Sequence, residues 1–226
     1  ILSGGSVGYS SPVIADIDGN AANGKEVAVA GSDGVLYVYG ANGALLWFDT
    51  LPAYGCGGST SRQFSTPAVG ALYGDGVPYL VIGYGGWVSR GCDGGVVAYR
   101  GFDGARAWVF SIKTFAKKDN FWAFRNTVYS SPAVADVDGD GRMEVGFGSF
   151  DRNVYLLNFD GSVRWYYNAA DTVWSSPAFV NVDSDADLEM LIGTDISGNK
   201  ALRPPTKDGG YVYAFKTKPL PSKRRG

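Results

Sequence analysis

The sequence predicts an all-β chain, a β-propeller built of four-stranded antiparallel blades. Two observations predict it. Four Ser/Thr-Pro pairs, Ser11-Pro12, Thr66-Pro67, Ser131-Pro132 and Ser176-Pro177, are each followed by a short apolar strand. Further short strands then follow, broken by Gly and by Asn-Gly or Asp-Gly pairs, and the whole pattern recurs at intervals of tens of residues. Both residues of an Asn-Gly or Asp-Gly turn must tolerate positive φ, so these pairs between apolar runs mark tight hairpins. Tyr, Phe, Trp, Val and Gly are abundant and segments of helical periodicity are nearly absent, which leaves little room for helix.

Aligned on the proline, the repeats run over about 9–63, 64–128, 129–173 and 174–217, within a single propeller region 1–226 that ends in a basic tail, 218–226. The first strands open at Pro12, Pro67, Pro132 and Pro177. Second strands ending in glycine cover Glu26–Gly31, Tyr79–Gly83, Glu144–Gly148 and Glu189–Gly193. Third strands of apolar and aromatic residues cover Val35–Tyr39, Val96–Tyr99, Val154–Leu157 and Tyr211–Phe215. Turns at Asn42-Gly43, Asp103-Gly104 and Asp160-Gly161 lead to fourth strands carrying Trp47, Trp108 and Trp165. Recurrence of the tryptophan at one place in each blade points to packing between blades. A β-sandwich with accidental self-similarity is the competing architecture, and the matching offsets of Pro, loop and Trp argue against it. No tryptophan strand follows Phe215. With about four blades present, the expectation is a piece of a larger ring or a ring completed by another chain, a small propeller being the third option, because proteins avoid unpaired strand edges.

Between first and second strands lie acidic loops. In the third repeat Asp136, Asp138 and Asp140 fall at alternate positions, the Arg142 carbonyl follows, and Glu144 closes the set. Hard cations take six to eight oxygens, and this alternation wraps oxygens around one point. In the fourth repeat Asn181, Asp183, Asp185 and Glu189 match, with Asp187 at the carbonyl position. In the first, Asp16, Asp18 and Asn20 begin the pattern, but two extra residues precede Glu26. The second has Ala71, Tyr73 and Asp75 at those positions and has lost the site. Carboxylates crowded without a cation repel one another, so two to three bound Ca2+ ions are expected. Ligand sets saturated by protein oxygens make the metal structural, since a catalytic metal keeps an open position.

These loops resemble FG-GAP/VCBS-type calcium-binding propeller repeats, the kind found in integrin α-subunit heads and in many microbial secreted proteins. The stretch Gly31–Trp47 is also similar to quinoprotein-type repeats. The resemblance covers nearly the whole chain and implies a calcium-binding propeller whose ring usually closes with about six to eight blades.

Lys+Arg number 20 against 22 Asp+Glu, so net charge gives no case for a nucleic-acid partner. No apolar run approaches the ~20 residues of a membrane span. Calcium-type loops and two cysteines suit a secreted or cell-surface protein, and the chain holds no Asn-x-Ser/Thr signal. Cys56 and Cys92 fall on one face of the second blade and are expected to form a disulfide. That face also receives every long insertion, including 111–126. Its Trp87, Arg90, Phe121, Trp122 and Arg125 are the expected surface for a protein or glycan ligand. No histidine occurs and no acid–base cluster stands out, so no catalytic residue is assigned. The expected role is an adhesion, recognition or assembly module rather than an enzyme. The alternative is the propeller part of a secreted enzyme such as a polysaccharide lyase or a quinone-dependent dehydrogenase.

Overall fold

The computed structural model describes residues 9–52, 65–85, 92–119, 126–185, 187–195 and 210–218. The first sheet holds β1 (Val13–Ala15), β2 (Glu26–Ala30), β3 (Val35–Tyr39) and β4 (Leu45–Thr50). The second holds β5 (Ala68–Gly70), β6 (Tyr79–Gly85), β7 (Gly94–Arg100) and β8 (Arg106–Ser111), and the third β9 (Ala133–Ala135), β10 (Glu144–Gly148), β11 (Asn153–Leu157) and β12 (Val163–Asn168). The fourth, among the described residues, has three strands: β13 (Ala178–Val180), β14 (Glu189–Gly193) and β15 (Val212–Lys216). Every sheet is an antiparallel meander in chain order, so each is a blade.

The hydrophobic core lies between neighbouring sheets, in three slabs. Ile17, Ala28, Leu36 and Val38 of the first sheet meet Leu80, Ile82, Val97 and Tyr99 of the second. The second sheet turns its alternate residues, Val81, Val96 and Ala98, to Val145, Phe147, Tyr155 and Leu157 of the third. Val137, Val154 and Leu156 then meet Met190 and Ile192 of the fourth. Period-2 alternation thus divides one strand between two interfaces. That explains why β6, β7, β10 and β11 read as nearly continuous apolar runs. A two-layer sandwich is excluded by this serial stacking.

The recurrent residues prove to be the joints. Trp47 Nε1 donates to the Gly101 carbonyl at 2.7 Å, Trp108 to Phe159 at 2.9 Å and Trp165 to Thr217 at 3.4 Å, each in the next blade. The indoles of Trp47 and Trp108 cover the turn glycines Gly104 and Gly161, where a Cβ would come within 2.7 Å of the ring. The Ser/Thr-Pro pairs form a second set of joints. Ser11 N–H donates to Thr66 Oγ1 (3.0 Å), Thr66 N–H to Ser131 Oγ (2.9 Å) and Ser131 N–H to Ser176 Oγ (3.0 Å). The serine one place earlier accepts from the glycine of its own second strand, as Ser65 does from Gly83 at 2.9 Å and Ser130 from Gly148 at 3.1 Å.

Within the long segment 111–126 the chain forms a helix, α1 (Ile112–Asp119). Ser111 caps it by accepting the Thr114 amide at 3.0 Å, and the Lys113 amide donates to Asp93 at 3.1 Å. Buried Ile112 pins the helix, and Phe115 meets Phe110, Tyr155 and Tyr166 edge-on or tilted. A serine N-cap is a legible start signal, but the helix is short and its stability comes from this packing.

Candidate metal centres

The three acidic loops fold alike. In each, the closing glutamate is buried and its Oε2 accepts the amide of the loop's second residue: Ile17 to Glu26 (2.8 Å), Val137 to Glu144 (3.1 Å) and Val182 to Glu189 (3.0 Å). One short hairpin thereby turns the other carboxylates onto that glutamate. Carboxylate oxygens of Asp16, Asp18 and Glu26 lie within 4.8 Å of one another, as do those of Asp136, Asp138 and Glu144, and of Asp183, Asp185 and Glu189. The two extra residues of the first loop are absorbed by a 3-10 turn at Ala21–Asn23, so its carboxylates still converge.

Other expected ligands are placed differently. Asn20 contributes its backbone N–H to Asp18 Oδ1 at 2.8 Å. Asp140 turns outward to Arg142, whose hydrogen bond holds its carboxyl below the ordinary range. Asp187 pairs with Lys218, and Asn181 donates its amide to the Asp185 carbonyl. Asp136 also caps the turn, accepting amides of Gly139 (2.7 Å), Asp140 (3.1 Å) and Gly141 (2.9 Å). The second loop is plugged by aromatics instead. Tyr73 and Tyr79 replace the second aspartate and the glutamate, with ring centroids 5.0 Å apart, and Tyr73 also meets Phe159 edge-on at 5.3 Å.

Two residues at these centres carried no sequence signal. Arg164 on β12 reaches Asp138 Oδ2 at 2.8 Å and Glu144 Oε1 at 3.5 Å. Lys216 on β15 pairs with Asp183, with Asp185 at 2.6 Å and with Glu189 at 2.8 Å. Its ammonium is held well above the ordinary lysine range by hydrogen bonds to Asp183, Asp185 and Glu189 in that order. Among the described residues, ion pairs reach the third and fourth loops but not the first. Burial pushes the Glu144 carboxyl up despite Val137 and Arg164. Asp16 Oδ1 and Asp138 Oδ1 are buried without a hydrogen-bond partner, as an oxygen awaiting a cation would be. The donor sets therefore fit a hard cation, best at the first loop, where among the described residues no basic side chain is ion-paired with the carboxylates.

On the opposite face, a motif also escaped the sequence reading. Asp33 Oδ1 accepts the Val35 amide at 3.2 Å and its Oδ2 the Tyr37 hydroxyl at 2.7 Å. Asp151, which is buried, repeats this with Asn153 (3.0 Å) and the Tyr155 hydroxyl. The signal was Asp-x-x-x-Tyr between second and third strands, at Asp33–Tyr37 and Asp151–Tyr155; the same spacing at Asp75–Tyr79 falls in the second repeat's loop between first and second strands. Trp87, Arg90, Phe121, Trp122, Arg125 and Cys56 lie outside the described residues. Cys92 is buried and has no free thiol.

No protein-family model matches the chain. Over 84 residues, 37% of its length, it is 30% identical to Lambda-carrageenase of Pseudoalteromonas sp. and of Pseudoalteromonas carrageenovora, and this stretch spans 8% of those proteins. Among solved structures, rhamnogalacturonan lyase YesW is similar with a TM-score of 0.60 and 20% identity, over 91% of this chain and 38% of that one. BBS1N in complex with ARL6DN gives 0.58 and 10% over 94% and 55%. Quinohemoprotein alcohol dehydrogenase from Comamonas testosteroni gives 0.54 and 18% over 74% and 30%. No helix among the described residues is long and apolar enough to cross a membrane. Likeness at such identities speaks to fold: the chain is a run of β-propeller blades.

Proposed function

We propose that this chain is a calcium-stabilised, non-catalytic β-propeller scaffold belonging to a secreted protein that acts on polysaccharide. The observation that carries the calcium reading is three carboxylate sets built by one hairpin design, each with ligand oxygens within 4.8 Å. Asp16, Asp18 and Glu26 hold the first ion, Asp136, Asp138 and Glu144 the second, and Asp183, Asp185 and Glu189 the third. Bound calcium supplies the charge that lets these oxygens sit together and so ties first strand to second. The polysaccharide context is supported by the 84-residue similarity to Lambda-carrageenase and by the fold shared with a rhamnogalacturonan lyase. Recognition of glycan or protein falls to the long-loop face opposite the metal, with Trp87, Arg90, Phe121, Trp122 and Arg125 as its contacts.

Thermal melting tests the calcium reading. A ligand that binds only the folded state stabilises by about 2.7 kcal/mol at a hundred times its Kd, which for a chain of this length is a rise in Tm of roughly 5–10 °C. Asp18→Ala should remove part of that rise, whereas Asp75→Ala, in the aromatic-plugged loop, should leave it unchanged. Superimposable curves in calcium and in EDTA would sink the reading.

We also propose a Cys56–Cys92 bridge, consistent with an extracellular address. It closes the link into the second blade and contributes about 3–4 kcal/mol in the chain-entropy model. Denatured, unreduced protein should show no reactive thiol; two per chain would refute the pairing.

A further inference from the structure

The second sheet follows the plan of its neighbours, with the chemistry of one corner inverted. Where the other repeats carry an aspartate and a glutamate, it has Tyr73 and Tyr79. On its third strand Arg100 stands opposite Tyr79, as Lys216 stands opposite Glu189. Lys216 is neutralised by its loop, whereas Arg100 turns to Asp103, with Nε at 3.0 Å and Nη2 at 2.5 Å. Arg106 reaches Asp49 of the first sheet with Nε at 2.6 Å and the Thr50 carbonyl with Nη2 at 2.7 Å. Ala107 precedes Trp108 as Arg164 precedes Trp165. Arg164 extends over its loop to Asp138 and Glu144, and an alanine cannot. A cavity of about 250 Å3 stands there, lined by Tyr73, Tyr79, Arg100 and Arg106 with Ala105 and Ala107.

The polar side chains of this cavity all have donors to offer. Each guanidinium is fixed by Nε and Nη2, and among the described residues Nη1 of both is without a hydrogen-bond partner. Tyr79 is 8% exposed, and among the described residues neither its hydroxyl nor that of Tyr73 has a hydrogen-bond partner. A nearly buried hydroxyl left unpaired by the protein points to an occupant. Burial pushes both phenols up, so both stay protonated. Asp75 accepts the Val77 amide at 3.0 Å within its own turn. Guanidinium groups pair with oxyanions through matched N–H donors. We propose that this cavity is a subsite for the carboxylate or sulfate group of one acidic sugar in a polysaccharide, held by Arg100, Arg106 and the two tyrosine hydroxyls. Pockets that enclose a drug-sized ligand span roughly 300–1,000 Å3, so this smaller one takes a single sugar residue. The arginine side chains are 42% and 43% exposed, which lets the rest of the glycan continue into solvent. The sugar rests on the polysaccharide reading above; the anion rests on these residues alone.

Isothermal titration of the full chain in calcium tests it with four probes: trigalacturonate, a sulfated galactan trisaccharide, the matching neutral trisaccharide and sodium sulfate. At least one acidic trisaccharide should bind, and the neutral one at least about tenfold more weakly, because the charge-assisted hydrogen bonds are lost. The tighter of the two acidic probes tells carboxylate from sulfate. Arg100→Ala and Arg106→Ala should each weaken that binding at least about tenfold. Tyr79→Phe keeps the ring packing and should weaken it about threefold to tenfold. Exposed ion pairs contribute little to stability, so the variants should melt near the parent temperature; if an arginine variant does not, Tyr79→Phe carries the test. An acidic probe that binds all three variants as well as the parent overturns the inference, and so does a neutral probe that binds as tightly. Failure of every probe to bind overturns the subsite and leaves the calcium reading to the melting experiment. Sulfate that binds through both arginines while no trisaccharide does overturns the inference through the polysaccharide reading on which its sugar rests.

Discussion

Trp108→Ala should lower the unfolding free energy by about 3–5 kcal/mol, the range for deleting a large aromatic from packed surroundings. The indole bridges the second and third blades: its Nε1 donates to the Phe159 carbonyl at 2.9 Å and its face covers Gly161. Truncation opens a cavity at that joint and removes the partner of a backbone acceptor. Gly161→Val tests the same joint from the other side. Gly161 has φ +81°, and a Cβ there would stand 2.7 Å from the Trp108 ring, so left-handed strain and overpacking each add about 1–3 kcal/mol. Trp165→Ala should cost less, since its longer 3.4 Å contact to Thr217 meets a sheet with three described strands. Urea unfolding measures all three; a loss under about 1 kcal/mol for Trp108→Ala would show that the joint is not held by this residue.

Asp151→Ala is the second large effect. The carboxylate accepts the Asn153 amide at 3.0 Å, Asn153 Nδ2 at 2.8 Å and the Tyr155 hydroxyl. Alanine strands all three donors away from water, at about 1–3 kcal/mol each before relaxation, so a loss of about 3 kcal/mol or more is expected. Asp33→Ala, at the equivalent but half-buried turn, should cost about 1 kcal/mol, because water can replace the lost acceptor. The effect carries a pH signature. Burial pushes the Asp151 carboxyl above its ordinary value, so the folded state binds more protons than the unfolded one near that range. Its contribution is full below the ordinary carboxylate value of about 4 and is lost as pH rises through the folded value. Asp151→Ala should therefore cost more in acid than at neutral pH, groups common to both proteins cancelling in the difference. Equal losses at both pH values would show that Asp151 titrates as it does in the unfolded chain.

Much of the blade was legible because its determinants are local. Alternation within strands, positive-φ turns at Asn-Gly and Asp-Gly, and carboxylates at alternate loop positions all act over a few residues, and the strands and converging loops appear where that spacing put them. Trp47, Trp108 and Trp165 were legible as joints because identical offsets in a repeat imply identical neighbours. The short helix after Ser111 was hidden because Ile112 and Phe115 are held by rings from other strands and not by helical periodicity.

By itself, then, the sequence determined the strand order of each blade, the loop positions of the carboxylates and the place of Tyr73 and Tyr79 in the second loop. Tertiary structure alone decided which charges those carboxylates meet. Arg164 comes to Asp138 from 26 residues away and Lys216 to Asp185 from 31, by way of strands whose register depends on the whole sheet. It also decided that Asp151 is enclosed while Asp33 is not, and that Val182 is open where Ile17, Leu72 and Val137 are sealed. Burial belongs to the neighbouring blade, and no window of local sequence contains the neighbour.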